Sequence, residues 1–369
     1  MRDRGLSDRF WRVAHPMRFR FVTSTPLNVF QGSGTYAGIS ALAKFLKMSG
    51  QTVDLITPTV HLPVYTAERI VFNKLLRLKR WHADAITVGF DMDGYSVAGD
   101  GRGPHIASIK GVIADEMRFE SGLTRATMRA QAYYEKLHVQ RANLVIVPSA
   151  FSAERIRELY GIANPPKIVP ELIDLAHWRS LSEANPATSD QSKFVVLTVC
   201  RFYPRKRVHI LLGAAERLRD KIPGLEIRVV GDGPEAPRLH SICQQKSLQG
   251  TVNWLGNISQ AELAREYNRC DVFCLPSVQE AFGIVLLEAM AHAKPIVAAR
   301  AAAVPEVAQH AILAEPDDEE SLAEGIERLY ARPELRATLG PQGAQFVKQF
   351  DGPVVAELFL REIRAGLAF

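Results

Sequence analysis

Ten short apolar runs, five in each half of the chain, constrain the fold more than any other feature of this sequence. In the first half they are RFRFVTS, TVDLITP, AITVGF, HIASIKG and LVIVPS; in the second they are FVVLTVC, EIRVVGDG, VNWLG, VFCLPS and PIVAA. Each ends in polar or turn-forming residues and leads into a helical pattern. Near-continuous Val, Ile and Leu without strict alternation suits parallel strands covered on both faces. Strands alternating with helices imply α/β domains with doubly wound parallel sheets. A chain of 369 residues is too long for one ordinary core and suits two.

The domain plan follows from composition along the chain. Residues 1–16 are basic and lack an apolar h-region, so they read as a surface extension and not as a secretory signal. Residues 17–180 form a first Rossmann-like domain and residues 193–350 a second. The polar, turn-rich stretch 181–192 links them, and 351–369 has the pattern of an amphipathic helix. Its packing partner is left open, the first domain being one candidate. Two such sheets facing each other would share a central cleft at the carboxyl ends of their strands, where ligands bind. No run of apolar residues reaches the length of a membrane span. The four cysteines lack a C-x-x-C spacing, which points to reduced, buried thiols and a cytoplasmic location. A net charge of +5 mildly favours anionic partners without selecting one.

Four stretches could carry chemistry. The first strand leads into Gly32, Ser33, Gly34 and Gly38. Such glycines let backbone turn tightly and approach a ligand at a helix N-terminus; a plain strand-to-helix turn is the alternative. After the first strand of the second half come Arg201, Arg205, Lys206 and Arg207, a dense cationic group suited to clamping a diphosphate or simply to a solvated turn. Gly231, Asp232 and Gly233 make a sharp turn after the next strand. Finally, a helix apolar nearly all round, 284–292, carries Glu288 and is preceded by Glu280 beside Phe282 and Gly283. Burying unpaired carboxylates is costly, so these two should bind ligand hydroxyls, or Glu288 should pair with a cation elsewhere in the core, and the helix N-terminus offers backbone N–H groups to an anion.

Together these stretches resemble the retaining, nucleotide-sugar-dependent glycosyltransferases of the GT-B fold, family 4. The resemblance is densest over 194–306. The paired-glutamate motif is matched by EAFGIVLLE, with Glu280 and Glu288 eight apart; the Arg-then-Lys motif by Arg201 and Lys206, five apart; the strand-ending G-D-G by Gly231, Asp232 and Gly233; and P-S-x-x-E by Pro276, Ser277 and Glu280. The resemblance implies transfer of a sugar from a nucleotide diphosphate to an acceptor hydroxyl, on a glycan, a lipid-linked acceptor or a small molecule, without cofactor or metal. Arg201, Lys206 and Glu280 would be catalytic. Glu288, Gly231, Gly233, Gly32, Gly34 and the backbone of Phe282, Gly283 and Ile284 would hold the donor. A same-fold epimerase, a phosphorylase-like enzyme or a catalytically silent nucleotide-binding homologue are the rivals; a nucleic-acid partner lacks any supporting motif.

The sequence also departs from that family. Its glycines before the Arg and after the Lys are Cys200 and Arg207 here, and its Gly-Gly near Pro305 and Glu306 is replaced by Ala301, Ala302 and Ala303. Lys110 stands where many members have an acceptor-side histidine, so Asp91, Asp93, Asp100 and Lys110 are the acceptor-side candidates. Asp91 and Asp93 have the Asp-x-Asp spacing with which some sugar-nucleotide enzymes hold a metal, though the parallel-sheet pattern argues against that use. The stretch 68–84, with Arg69, Lys74, Arg77, Lys79 and Arg80 among apolar residues, reads either as an ordinary surface helix or as a contact with the anionic inner face of a membrane.

Overall fold

All ten apolar runs form strands in the computed structural model, which describes residues 16–26, 29–79, 81, 84–162, 164–187, 190 and 192–367, the side chains of 29–33 excepted. The first half runs β1 (Arg18–Val22), α1 (Val29–Met48), β2 (Thr52–Ile56), α2 (Tyr65–Leu76), β3 (Ala85–Phe90) and β4 (His105–Ser108). It continues through α3 (Ile113–Glu116), α4 (Gly122–Arg141), β5 (Leu144–Val147), α5 (Ala150–Tyr160) and β6 (Lys167–Ile168) to α6 (Leu175–Ala184). The second half opens with β7 (Phe194–Val199), α7 (Val208–Leu218), β8 (Leu225–Val230), α8 (Ala236–Gln245), β9 (Val252–Gly256) and α9 (Gln260–Arg269). Then come β10 (Val272–Leu275), α10 (Ile284–Ala291), β11 (Ile296–Ala299), α11 (Val304–Val307), β12 (Ile312–Ala314), α12 (Glu319–Ala331), α13 (Pro333–Phe346) and α14 (Gly352–Gly366).

The strands make two six-stranded sheets, ordered β2-β1-β3-β4-β5-β6 and β12-β11-β10-β7-β8-β9. Every pairing between these strands is parallel. Strand order reverses between β1 and β3 in the first sheet and between β7 and β10 in the second. Loops leaving the carboxyl ends at such a switch point diverge to opposite faces and open a crevice between them. The loop after β7 carries Arg201 and Lys206, and the loop after β10 carries Glu280. Chain topology thus brings together residues far apart in sequence.

Three elements differ from the sequence-based plan. The edge strands β6 and β12 have only two and three residues and are mostly half-exposed, so neither carries an apolar run long enough to read. Helix α6 crosses the expected boundary at 180 and packs on the second domain: Trp178 is buried against Tyr267 and His292, with ring centroids at 6.0 and 5.4 Å. The last helix, α14, returns to the first domain. Phe359 lies 6.0 Å from Phe19 of β1, and Gly352 packs against the Phe45 ring with no room for a Cβ. Of the N-terminal extension, all but residue 16 lies outside the described residues. All four cysteines are free, and three of them are fully buried.

Candidate functional site

At the switch point of the second sheet, a short 3-10 turn (Pro204–Lys206) follows β7 and turns Lys206 toward the loop after β10. Lys206 Nζ meets Glu280 Oε1 at 2.6 Å, both side chains being largely buried. The two loops are also joined through backbone, Val278 N donating to Arg205 O at 3.0 Å. Arg201, two residues beyond β7, lies partly exposed at the same edge. Helix α10 begins immediately after Gly283, whose φ of 91° is a conformation few side chains tolerate. That left-handed residue aims the free N–H groups of the first turn out of the loop, where they and the helix dipole favour an anion. The Phe282 side chain turns the other way, into the core beside Phe350, so its backbone alone faces the site.

Glu288 lies one turn further on. Tyr267 Oη donates to Glu288 Oε2 at 2.9 Å, and Glu288 is only partly exposed. Burial of the carboxylate pushes its pKa up to about 7, and the hydrogen bond from Tyr267 works against that rise. The two glutamates of one motif therefore differ: Glu280 is held by a cation, Glu288 by a neutral phenol.

Across the cleft, the glycines after β1 do not form a turn. Gly32, Ser33, Gly34 and Gly38 lie within α1, which starts earlier than their spacing suggests. A Cβ on Gly34 would sit 3.8 Å from Ile284 Cδ1, so α1 approaches the N-terminus of α10 closely. Gly231 and Gly233 have a local reason for being glycine. Gly231 has φ of 123° and packs on the Cys200 carbonyl, and a Cβ on Gly233 would sit 2.7 Å from Phe202 N.

The four acceptor-side candidates separate cleanly. Asp91, at the carboxyl end of β3, accepts from Lys110 N at 2.8 Å, and burial raises its pKa to about 6 against the nearby Arg69 charge. Lys110 Nζ binds Glu171 Oε1 at 2.7 Å, beneath Gly38, where a Cβ would collide with the Glu171 carboxylate. Both residues lie at the cleft edge of the first sheet. Asp93 does not: it is 0% exposed and accepts from Ser24 N, Ser24 Oγ, Asn73 Nδ2 and the Arg69 guanidinium. Its oxygens are engaged in holding β1, β3 and α2 together, which leaves none for a ligand. Asp100 is set apart too, because it precedes β4 at the amino ends of the strands and pairs with Arg102 at 3.0 Å. Asp93 is close enough to raise the Asp91 pKa further, but its own oxygens are taken, so the Asp-x-Asp spacing does not offer a ligand two carboxylates. No group of three His, Cys, Asp or Glu residues is placed to hold a metal ion among the described residues.

Sequence reasoning missed the residues that join the halves. Glu306 accepts from the backbone of Ala150 and Phe151, 2.8 Å each, capping α5 from the other domain. Ser149 Oγ donates to the carbonyl of Ala281, next to Glu280, at 2.7 Å. Arg205 pairs with Glu116 at 3.2 Å. The hydroxyl of Ser149, just past the end of β5, was the one local signal, since Glu306 lies within α11 and Glu116 closes α3, and each partner lies more than eighty residues away.

Residues 182–346 match the family model described as "Glycosyl transferases group 1". A D-inositol 3-phosphate glycosyltransferase of Saccharomonospora viridis is 28% identical over 256 residues, which are 65% of this chain and 59% of that protein. The chain thus spans about six-tenths of that curated relative. Sucrose-phosphate synthase of Thermosynechococcus elongatus superposes with a TM-score of 0.80 at 20% identity, covering 95% of this chain and 99% of the other. HepE of Anabaena, solved with UDP and glucose, gives 0.73 at 19%, covering 95% and 100%. At these identities the likeness shows the fold, and the fold is GT-B.

Proposed function

We propose that this protein is a retaining, metal-independent glycosyltransferase of family 4, transferring a sugar from a nucleoside diphosphate to an acceptor hydroxyl. The observation that carries the reading is the Lys206–Glu280 contact at the switch point, beside the N-terminus of α10. In this reading Lys206 and Arg201 neutralise the diphosphate as it leaves, with the first N–H groups of α10 sharing its charge. Glu280, held by Lys206, accepts hydrogen bonds from the donor sugar and steadies positive charge developing at its anomeric carbon. Glu288 accepts from the ribose hydroxyls. The anomeric carbon–oxygen bond breaks as the acceptor oxygen bonds the same face, and the acceptor proton passes to the departing phosphate oxygen. Asp91 and Lys110, facing the cleft from the first sheet, are assigned to positioning the acceptor.

Because HepE was solved with UDP-glucose, uridine diphosphate sugars head the donor list. The test incubates the purified protein with UDP-, GDP- and ADP-sugars, with and without EDTA, and follows slow donor hydrolysis by proton NMR. The α anomer should be released first from an α-linked donor, equally well in EDTA. Initial release of the β anomer would sink retention, and loss of turnover in EDTA would sink metal independence. A protein that neither binds nor turns over any donor is no transferase.

A further inference from the structure

The exposed large apolar side chains among the described residues all lie on the first domain or on α14, which packs against it. Of the thirteen exposed large hydrophobic residues among those described, eight fall between Met48 and Leu78, and not one falls between Leu175 and Phe350. Val64, Val71, Leu75 and Leu78 lie along or beside α2, with Leu78 80% exposed. Leu123, likewise 80% exposed, and Tyr133 lie on α4. The two helices adjoin, because Arg69 Nη1 donates to Gln131 Oε1 at 2.9 Å and Gln131 Nε2 to Thr66 Oγ1 at 2.8 Å. Scattered surface leucines need no explanation, but a contiguous apolar patch on a soluble surface does.

Charge identifies the occupant. Lys74, Arg125 and Arg129 on these helices, and Arg77 and Lys79 in the turn that ends α2, are all exposed, and none is in an ion pair among the described residues. Over 60–79 and 122–141 the only acidic residues are Glu68 and Glu135. Glu68 is turned inward onto Leu62 N at 2.8 Å, and Glu135 is fully buried. Apolar side chains interleaved with uncompensated cations match the boundary between anionic headgroups and acyl chains. Arg69 corrects one detail of the sequence reading, since it is buried against Asp93 at 3.2 Å and takes no part in this face. Arg80 lies outside the described residues.

We infer that the outer face of α2 and α4 docks this protein on an anionic phospholipid bilayer. Docking there is peripheral, since no helix among the described residues is long and apolar enough to cross a membrane. The orientation has a consequence for the cleft. The first turns of α2 are fixed through Arg69 and Asp93 to Ser24 at the carboxyl end of β1, so the docked face adjoins the open edge of the first sheet. An acceptor presented at the bilayer surface would then reach Asp91 and Lys110 without passing the second domain. The inference stands on this surface alone and does not need the sugar-transfer reading.

Flotation with phosphatidylcholine vesicles, with and without phosphatidylglycerol, tests it. The wild type should float only with the anionic vesicles and detach as salt is raised. Lys74→Glu/Arg77→Glu/Lys79→Glu should bind at least about 10²-fold more weakly, at roughly fivefold per cation removed. Leu75→Ser/Leu78→Ser should weaken binding without altering its salt dependence. An unchanged melting temperature and circular dichroism spectrum show that both variants are folded. Equal flotation of the wild type and the triple variant, flotation on neutral vesicles, or dimerisation in place of vesicle binding would each overturn the inference.

Discussion

The two sheets share strand number, direction and winding, yet their carboxyl edges are built differently. In the second sheet the edge carries an ion pair within reach of the cleft, Lys206 with Glu280, set in loops at the switch point. In the first sheet the comparable position, between β1 and β3, is filled by a closed network in which Asp93 holds Arg69, Asn73 and Ser24. One arrangement leaves charge to be used; the other consumes it in joining elements. The surfaces differ in the same sense, the second domain exposing no large apolar side chain and the first exposing most of them. Similar folds divide their polar groups between architecture and chemistry according to the loops at the switch point.

The largest effect should come from breaking the closed network. Asp93→Ala leaves the Arg69 guanidinium buried without its carboxylate, a loss of about 3–5 kcal/mol in stability measured by urea unfolding. Asp100→Ala, at an exposed pair, should stay within about 0.5 kcal/mol. If the two variants were equally stable, the contrast between a structural and a dispensable aspartate would fail. Next in size is Lys206→Ala, for which transfer should slow by about 10²–10³-fold at saturating donor, the scale of losing one electrostatic contact to the departing charge. A similar loss from Lys110→Ala, with Lys206→Ala near normal, would move the chemistry to the first sheet.

The sequence revealed much more of the second domain than of the first, for a physical reason. The residues to which the proposed function assigns roles there lie mostly in short loops beside strongly apolar strands, so pattern and spacing expose them. The edge of the first sheet is assembled from distant residues: Arg69 is 24 positions from Asp93, and Lys110 is 61 from Glu171. Glu306 meets the start of α5 across 156 positions. No local period encodes such contacts. The glycines of α1 misled for a related reason, since glycine near a helix start serves close approach to another element as readily as it serves a turn.

Within the second domain, the two glutamates allow a smaller and sharper comparison. The pKa of Glu288 is raised to about 7 from an ordinary value of 4.5, so the folded protein holds this proton more tightly than the unfolded chain. Native protein then binds more protons than unfolded protein between those values, and stability falls as pH rises through that window. Glu288→Gln keeps an acceptor for Tyr267 Oη and removes the buried charge. It should raise stability at pH 8 by about 1–2 kcal/mol, after allowance for partial exposure, and leave pH 4 unchanged. Nucleotide affinity should fall about tenfold through the weakened ribose contact. A variant that gains nothing at pH 8 would mean that Glu288 ionises freely and that the two glutamates are alike.

The smallest effect concerns strain beside Glu280. Two of the places where this chain lacks the glycines of the resembling family, Arg207 and Ala302, both have φ of 51°, in the left-handed region. A side chain there costs about 1–2 kcal/mol. Arg207 has compensation, since its guanidinium binds Asp317 Oδ1 at 2.5 Å and the Pro204 carbonyl at 3.0 Å. Ala302 has no side-chain contact that could offset the strain, and it precedes Ala303, whose N–H donates to the Glu280 carbonyl at 3.2 Å. Ala302→Gly should therefore stabilise the protein by about 0.5–1 kcal/mol, the strain relieved exceeding the added freedom of the unfolded chain. Arg207→Gly should change little, because relief of strain and loss of the ion pair oppose each other. Calorimetry on both variants separates the cases, and a destabilised Ala302→Gly would show that this backbone is held there without cost.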